Sequence, residues 1–190
     1  MLRLPLVYAS VLATTVFASA GYAQTTESDT TESDQTFPVA EADNKPYIKE
    51  TFGTWAQRCV QLPEQDEQCT LQVLLRNSDD SPVAEFNMQP LPNGGDAVAG
   101  VTMVTPLGTL LTQPMTFQID GGAQTTYPYQ WCEQAGCVLR FGLTRAQIDS
   151  MKAGLEVGVK MVSILAPNEP LELTISLDGF TAAWQSVGGS

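Results

Sequence analysis

Leu171-Glu172-Leu173-Thr174-Ile175-Ser176-Leu177 alternates apolar and polar residues at every step. Successive side chains of a strand point to opposite faces, so this period of two reads as a half-buried β-strand. Leu155-Glu156-Val157-Gly158-Val159-Lys160-Met161 repeats the pattern one segment earlier. Further back, Ala84, Phe86 and Met88 share one side of a strand, with Glu85 and Asn87 on the other. Leu71, Val73 and Leu75 mark a fourth strand, and Ala99, Val101 and Met103 a fifth. Phe117 and Ile119 run into Asp120-Gly121-Gly122 and then Thr126 to Trp131, a hairpin signal, and Val138 to Phe141 supplies another strand.

Helix is sparse. Thr144 with Gln147 three residues on is a capping-box pair, Ile148 and Met151 face inward, and Gly154 stands where a left-handed closing residue is wanted. A second short helix is expected over Thr181 to Gln185, pinned by Phe180 and Trp184. Many short strands with turns between them indicate an all-β, single-domain antiparallel β-sandwich with one or two short helices; a partly open barrel is the alternative.

The domain is expected to occupy residues 50–190. Residues 1–23 read as a secretory signal peptide: Arg3, then an apolar run from Leu4 to Ala18, then small residues up to Gly21-Tyr22-Ala23. An uncleaved membrane anchor fits less well, because the strongly apolar part is short of the about 20 residues that a span needs and no Lys or Arg cluster flanks it. Residues 24–49 open with the tandem repeat Thr25-Thr26-Glu27-Ser28-Asp29 and Thr30-Thr31-Glu32-Ser33-Asp34. This segment has little apolar surface with which to offset its ordering entropy, and is expected to be a disordered acidic tether.

Four cysteines behind an export signal, Cys59, Cys69, Cys132 and Cys137, point to two disulfides. The sequence-local pairing Cys59–Cys69 and Cys132–Cys137 is preferred among three connectivities. A four-cysteine zinc site lacks the usual spacing in the first pair. A redox role for the second pair lacks both the C-x-x-C spacing and a basic neighbour.

The net charge of −12 argues against nucleic acid, whose phosphates require a basic stripe. The chain contains no histidine, which removes Ser-His-Asp and Cys-His arrangements and every histidine metal site. No serine stands out as a partner for Lys45, Lys49, Lys152 or Lys160. The carboxylates Glu85, Asp96, Asp120, Glu133, Glu172 and Asp178 fall on polar strand faces or in turns, and no two are singled out as a glycosidase pair. No EF-hand spacing or phosphate loop is present. The reading is therefore of a non-enzyme with no catalytic residues, no cofactor and no metal.

The strongly apolar run Val101 to Leu111 stands out. Its Pro106-Leu107-Gly108 step should break the strand and leave Leu107, Leu110 and Leu111 on a loop, as a partner contact or as a cap on one end of the core. Tyr127, Tyr129 and Trp131 form a second candidate contact, with hairpin packing as the plainer explanation.

Several motifs run in order through the domain: Phe52-Gly53-Thr54-Trp55-Ala56-Gln57-Arg58-Cys59, Gly100 to Leu111, Gln118 to Gly122, Cys132 to Cys137 with Arg140-Phe141-Gly142-Leu143, and Leu177 to Ala183. Together they resemble the invasion-associated locus B family. The resemblance implies a small exported alphaproteobacterial protein, periplasmic or associated with the outer membrane. In pathogenic members the family is linked to virulence through entry into host cells, notably red blood cells. It implies no enzyme. The expected function is binding of another macromolecule of the envelope or host surface. The alternatives are a periplasmic lipid- or glycan-binding protein or envelope-maintenance factor, and a carboxylate-dependent hydrolase.

Overall fold

The computed structural model describes residues 45–93 and 95–190. The expected signal peptide, and the tether up to residue 44, lie outside the described residues. The chain forms β1 (Tyr47–Phe52), β2 (Trp55–Val60), β3 (Gln68–Arg76), β4 (Pro82–Pro90), β5 (Ala97–Thr105), β6 (Met115–Ile119), β7 (Gln124–Tyr127), β8 (Trp131–Glu133), β9 (Gly136–Thr144), α1 (Arg145–Ala153), β10 (Glu156–Ser163), β11 (Ala166–Ser176) and α2 (Phe180–Ser186). Two antiparallel sheets result, a larger one in the order β1-β2-β3-β4-β5-β9-β8 and a smaller one in the order β11-β10-β6-β7. The sheets remain open, so the architecture is the expected sandwich and not the barrel.

The alternating residues explain the layering. Leu71, Val73, Leu75, Phe86, Met88, Val101, Met103 and Leu139 of the larger sheet are buried against Met115, Phe117, Val157, Val159, Leu173 and Ile175 of the smaller one. An aromatic row continues through the core: Trp55 meets Phe86 edge-on at 6.1 Å and Phe180 at 4.9 Å, and Phe86 stacks on Phe117 at 6.3 Å. Such pairs each contribute about 0.5–1.5 kcal/mol beyond the area they bury.

Both disulfides join residues directly opposite one another on neighbouring strands. Cys59 pairs with Cys69 across β2–β3, and Cys132 with Cys137 across β8–β9. The preferred connectivity is the one observed.

Helix α1 carries the full capping box: Gln147 N donates to the Thr144 hydroxyl, and Thr144 N donates to the Gln147 side chain. Helix α2 buries Phe180, Ala183 and Trp184.

Four expectations are corrected. Gly154 is extended (φ −89°) and not left-handed; a Cβ there would meet the Asp120 carboxylate at 2.4 Å, because that group lies over the chain to accept from Leu155 N and Glu156 N. Leu155 does not join the buried row of β10: it precedes the strand and is 82% exposed. The segment from Thr126 to Trp131 is not one strand, since β7 ends at Tyr127 and Trp131 begins β8 in the other sheet. Strand β1 takes in Tyr47, Ile48 and Lys49, which the sequence reading assigned to the tether.

Two turns, one from the Phe52–Cys59 motif and one from the Leu177–Ala183 motif, meet in space. Gly53 (φ +60°) and Gly179 (φ +80°) let the β1–β2 turn and the turn before α2 lie against each other. A Cβ at Gly53 would approach the Asp178 carbonyl to 2.6 Å, and one at Gly179 the Phe52 carbonyl to 2.4 Å.

Candidate functional site

The Pro106–Leu111 loop is both pinned and exposed. Gly108 (φ +90°) turns the chain so that Leu110 N donates to the Val162 carbonyl and Ile164 N donates to the Gly108 carbonyl. An isolated bridge pairs Thr109 with Ser163. Thr109 is buried and donates to the Pro106 carbonyl at 2.7 Å, while Leu110 is half-buried. The backbone therefore closes one end of the sandwich, yet Leu107 and Leu111 remain 61% and 46% exposed.

The segment they join is the two-residue turn between β10 and β11. Its Ile164 and Leu165 are 55% and 90% exposed, and Gly108 lies beside the Ile164 side chain. Residues 106–114 and 162–168 contain no charged side chain, in a protein of net charge −12. One pole of the molecule thus carries four exposed aliphatic residues on two uncharged segments. Sequence reasoning singled out Leu107, Leu110 and Leu111 but not Ile164 or Leu165. The available signal was a pair of large aliphatics in a turn between two alternating strands. It went unread because such turns ordinarily carry Asn-Gly or a similar pair.

The aromatic trio separates. Tyr127 stacks on Phe141 with centroids 3.8 Å apart and meets Phe117 edge-on at 6.2 Å, so it belongs to the hairpin packing. Tyr129 also packs against the core, and its hydroxyl is buried without a hydrogen bond. Burial pushes its pKa up. Nearby Thr105 does not satisfy it: that hydroxyl donates to the Cys137 carbonyl and meets Thr109. Trp131 alone of the three is exposed (38%), on the outer face of the larger sheet, with the Arg140 guanidinium 5.1 Å from its ring centre.

Cross-strand register orders that outer face into rows. Leu74, Glu85, Val104, Val138 and Trp131 form the row toward the Pro106–Leu111 loop. Gln72, Asn87, Thr102 and Arg140 form the next, and Thr70, Gln89, Gly100 and Gly142 the one beyond. A groove of about 640 Å³ lies over the last two rows, bounded by Leu91 after β4 and Ala97 at the start of β5.

Among the described residues, Cys59, Glu67 and Cys69 are the one group of potential metal ligands brought together. The two sulfurs are bonded to each other, and Lys49 and Tyr47 both donate to the Glu67 carboxylate, so no ligand set remains. The hydrogen bond from Lys49, then that from Tyr47, holds the Glu67 carboxyl below its usual range. Among the described residues no helix is long and apolar enough to cross a membrane.

Fold and surfaces together define a disulfide-stapled, two-sheet β-sandwich with an exposed aliphatic pole. Residues 55–188 match the family described as Invasion associated locus B (IalB) protein, and the chain belongs to that family. It is 25% identical over 139 residues to Invasion protein B of Bartonella bacilliformis, covering 72% of each chain. It is 26% identical over 145 residues to an Invasion protein B homolog of Brucella abortus, covering 74% of this chain and 79% of the relative. The crystal structure of invasion associated protein B from Bartonella henselae has the same fold, with a TM-score of 0.61 and 24% identity over 73% of this chain and 92% of that one.

Proposed function

We propose that this protein is a non-enzymatic, exported component of the bacterial envelope or cell surface, whose aliphatic pole docks onto another protein and which contributes to host-cell invasion. The observation that carries the reading is the joining of Leu107 and Leu111 to Ile164 and Leu165. Backbone hydrogen bonds hold both segments in place, so the apolar side chains are presented on a fixed frame and their exposure is not the result of a loose loop. Fixed apolar groups lose little conformational freedom on association, which favours binding. Exposed apolar clusters on soluble domains mark interaction surfaces. The names of the relatives support the link to invasion.

The test is a photo-crosslinking residue placed at Leu165 or Leu107 in the exported protein, with Leu155 as control. Leu155 is equally apolar and exposed but sits at the far end of β10. A discrete crosslinked protein from position 165 and 107, absent from position 155 and lost when the other pole residue is changed to Asp, supports the reading. Crosslinking equal at all three positions, or none at the pole, overturns it. Protease treatment of intact cells then decides between surface and periplasm.

A further inference from the structure

We propose that the outer face of the larger sheet, where the Gln72–Asn87–Thr102–Arg140 row adjoins the exposed Trp131 ring, is a binding site for a carboxylated saccharide. This site is separate from the aliphatic pole and does not depend on it.

The face is built of groups with unspent hydrogen-bonding capacity. Thr70, Gln72, Gln89 and Thr102 make no side-chain hydrogen bond among the described residues, and Asn87 spends one amide donor on Glu85 at 2.7 Å. Planar amides and hydroxyls, each able to donate and accept, match the hydroxyls of a sugar ring. The groove lined by Thr70, Asn87, Gln89, Thr102 and Arg140 holds about 640 Å³, within the range for small-molecule sites. Its wall owes its position to two glycines. A Cβ on Gly142 would meet the Ala97 methyl at 2.6 Å, and one on Gly100 the Leu91 side chain at 3.3 Å. With no side chain at Gly100, the Leu91 side chain can lie close over the sheet at the edge of the groove.

Charge selects the ligand class. The protein carries 21 acidic residues against nine basic ones, yet this face presents Arg58 and Arg140. Among the described residues the ion pairs are Lys49–Glu67, Arg76–Asp80 and Lys160–Glu172, which leaves both arginines without a carboxylate. Glu85, the acid nearest the row, is held by Asn87. An arginine held over an aromatic ring suits a planar carboxylate, which it can engage bidentately, while the exposed remainder of the ring offers an apolar surface to the C–H face of a pyranose. A phosphate dianion is less well served, since the backbone N–H groups of a sheet interior are occupied by the ladder and no helix N-terminus or nest opens here. Nucleic acid is disfavoured by the overall charge.

Trp131 supplies the readout, because Trp55 and Trp184 are buried and it is the one exposed tryptophan. The experiment titrates the full mature domain, disulfides intact, with galacturonate and glucuronate oligomers, with the matching neutral galactose and glucose oligomers, and with inorganic phosphate, following intrinsic fluorescence and heat. The expected result is a saturable change with an acidic oligomer, weakened about tenfold in Arg140→Gln and in Trp131→Ala at unchanged melting temperature. Thr102→Val, on the same row, should weaken binding to a lesser degree. No saturable change with either acidic oligomer overturns the proposal, as does equal affinity for the neutral oligomers or for phosphate. It is also overturned if Arg140→Gln and Trp131→Ala lower the melting temperature while leaving binding unchanged, which would make the pair a surface staple only.

Discussion

The indole nitrogen of Trp55 donates to the backbone carbonyl of Ser176 at 2.9 Å, tying β2 of the larger sheet to the end of β11 in the smaller one. The two residues lie 121 positions apart in sequence and meet at one end of the core. Trp55 is fully buried between Phe86 and Phe180, so this one side chain supplies both apolar volume and a polar anchor. Replacement by phenylalanine keeps much of the volume and removes the donor. Trp55→Phe should cost about 1–3 kcal/mol, the penalty for a buried carbonyl losing its partner, read as a fall in the urea midpoint. A loss below a few tenths of a kcal/mol would mean that Thr54, whose hydroxyl lies 3.4 Å from the same carbonyl, takes over the bond.

Glycines with similar φ values should respond differently to substitution. Gly53 and Gly179 face backbone carbonyls of each other's turns, whereas Gly121 (φ +68°) has open space where its Cβ would stand. Gly121→Ala should therefore cost only the left-handed penalty of about 1–2 kcal/mol. Gly53→Ala and Gly179→Ala should cost clearly more, because a carbonyl must also move. Equal losses in urea unfolding at all three positions would show that the two turns separate freely.

Each disulfide staples a short loop, with sequence separations of 10 and 5. By the chain-entropy estimate each contributes about 2–3 kcal/mol, the longer loop giving the larger value. Alkylation without reductant should label no cysteine. Cys59→Ala/Cys69→Ala should lower the unfolding free energy more than Cys132→Ala/Cys137→Ala does. The reverse order would identify strain or residual structure in the unfolded chain as the dominant effect.

At the aliphatic pole, Leu107→Asp and Leu165→Asp should change stability by no more than about 0.5 kcal/mol, as expected of surface positions. Leu139→Ala, in the core between the sheets, should cost about 2–5 kcal/mol. Thermal unfolding separates the two classes. A large loss at Leu107 would place it in the core and remove it from any interaction surface.

Tyr129 should make stability fall in alkali. Its folded-state pKa is raised above the ordinary value of 10.0 by burial. A raised pKa means that the folded state holds the proton more tightly than the unfolded one. The stabilisation is complete below the unfolded value and is lost as pH climbs from there through the folded value. Tyr129→Phe should remove this alkaline decline. Near neutral pH it should be close to neutral or stabilising, since the hydroxyl it deletes is buried without a hydrogen bond. A loss of more than about 1 kcal/mol at neutral pH would reveal a hydrogen bond from that hydroxyl to Thr105.

Much of the fold was legible because its signals are local. The alternation at Leu71–Leu75, Ala84–Met88 and Leu171–Leu177 is set by neighbours two residues apart, and the Thr144–Gln147 cap by residues three apart. Where distant groups intervene, the local reading failed. Gly154 looked like a left-handed closing residue, but Asp120, from a different hairpin, dictates its shape. Leu155 fitted the alternation of β10 and yet projects into solvent, since the strand begins only at Glu156. Trp131 followed Tyr127 and Tyr129 in period, but Pro128 and Gln130 carry the chain across to the other sheet.

The amino-acid sequence by itself determined most of the strands, a preference for the disulfide pairing observed, the capped helix and the family resemblance, because each rests on short-range pattern or on ordered motifs. Only the tertiary structure decided which strands share a sheet, and so which side chains share a face. It brought Gly108 beside Ile164, and it aligned Gln72, Asn87, Thr102 and Arg140 from four strands into one row with Trp131 at its margin. Register and sheet order follow from the packing of the whole core, in which shifting one strand by a single residue would turn its entire apolar set outward. No window of sequence contains that constraint.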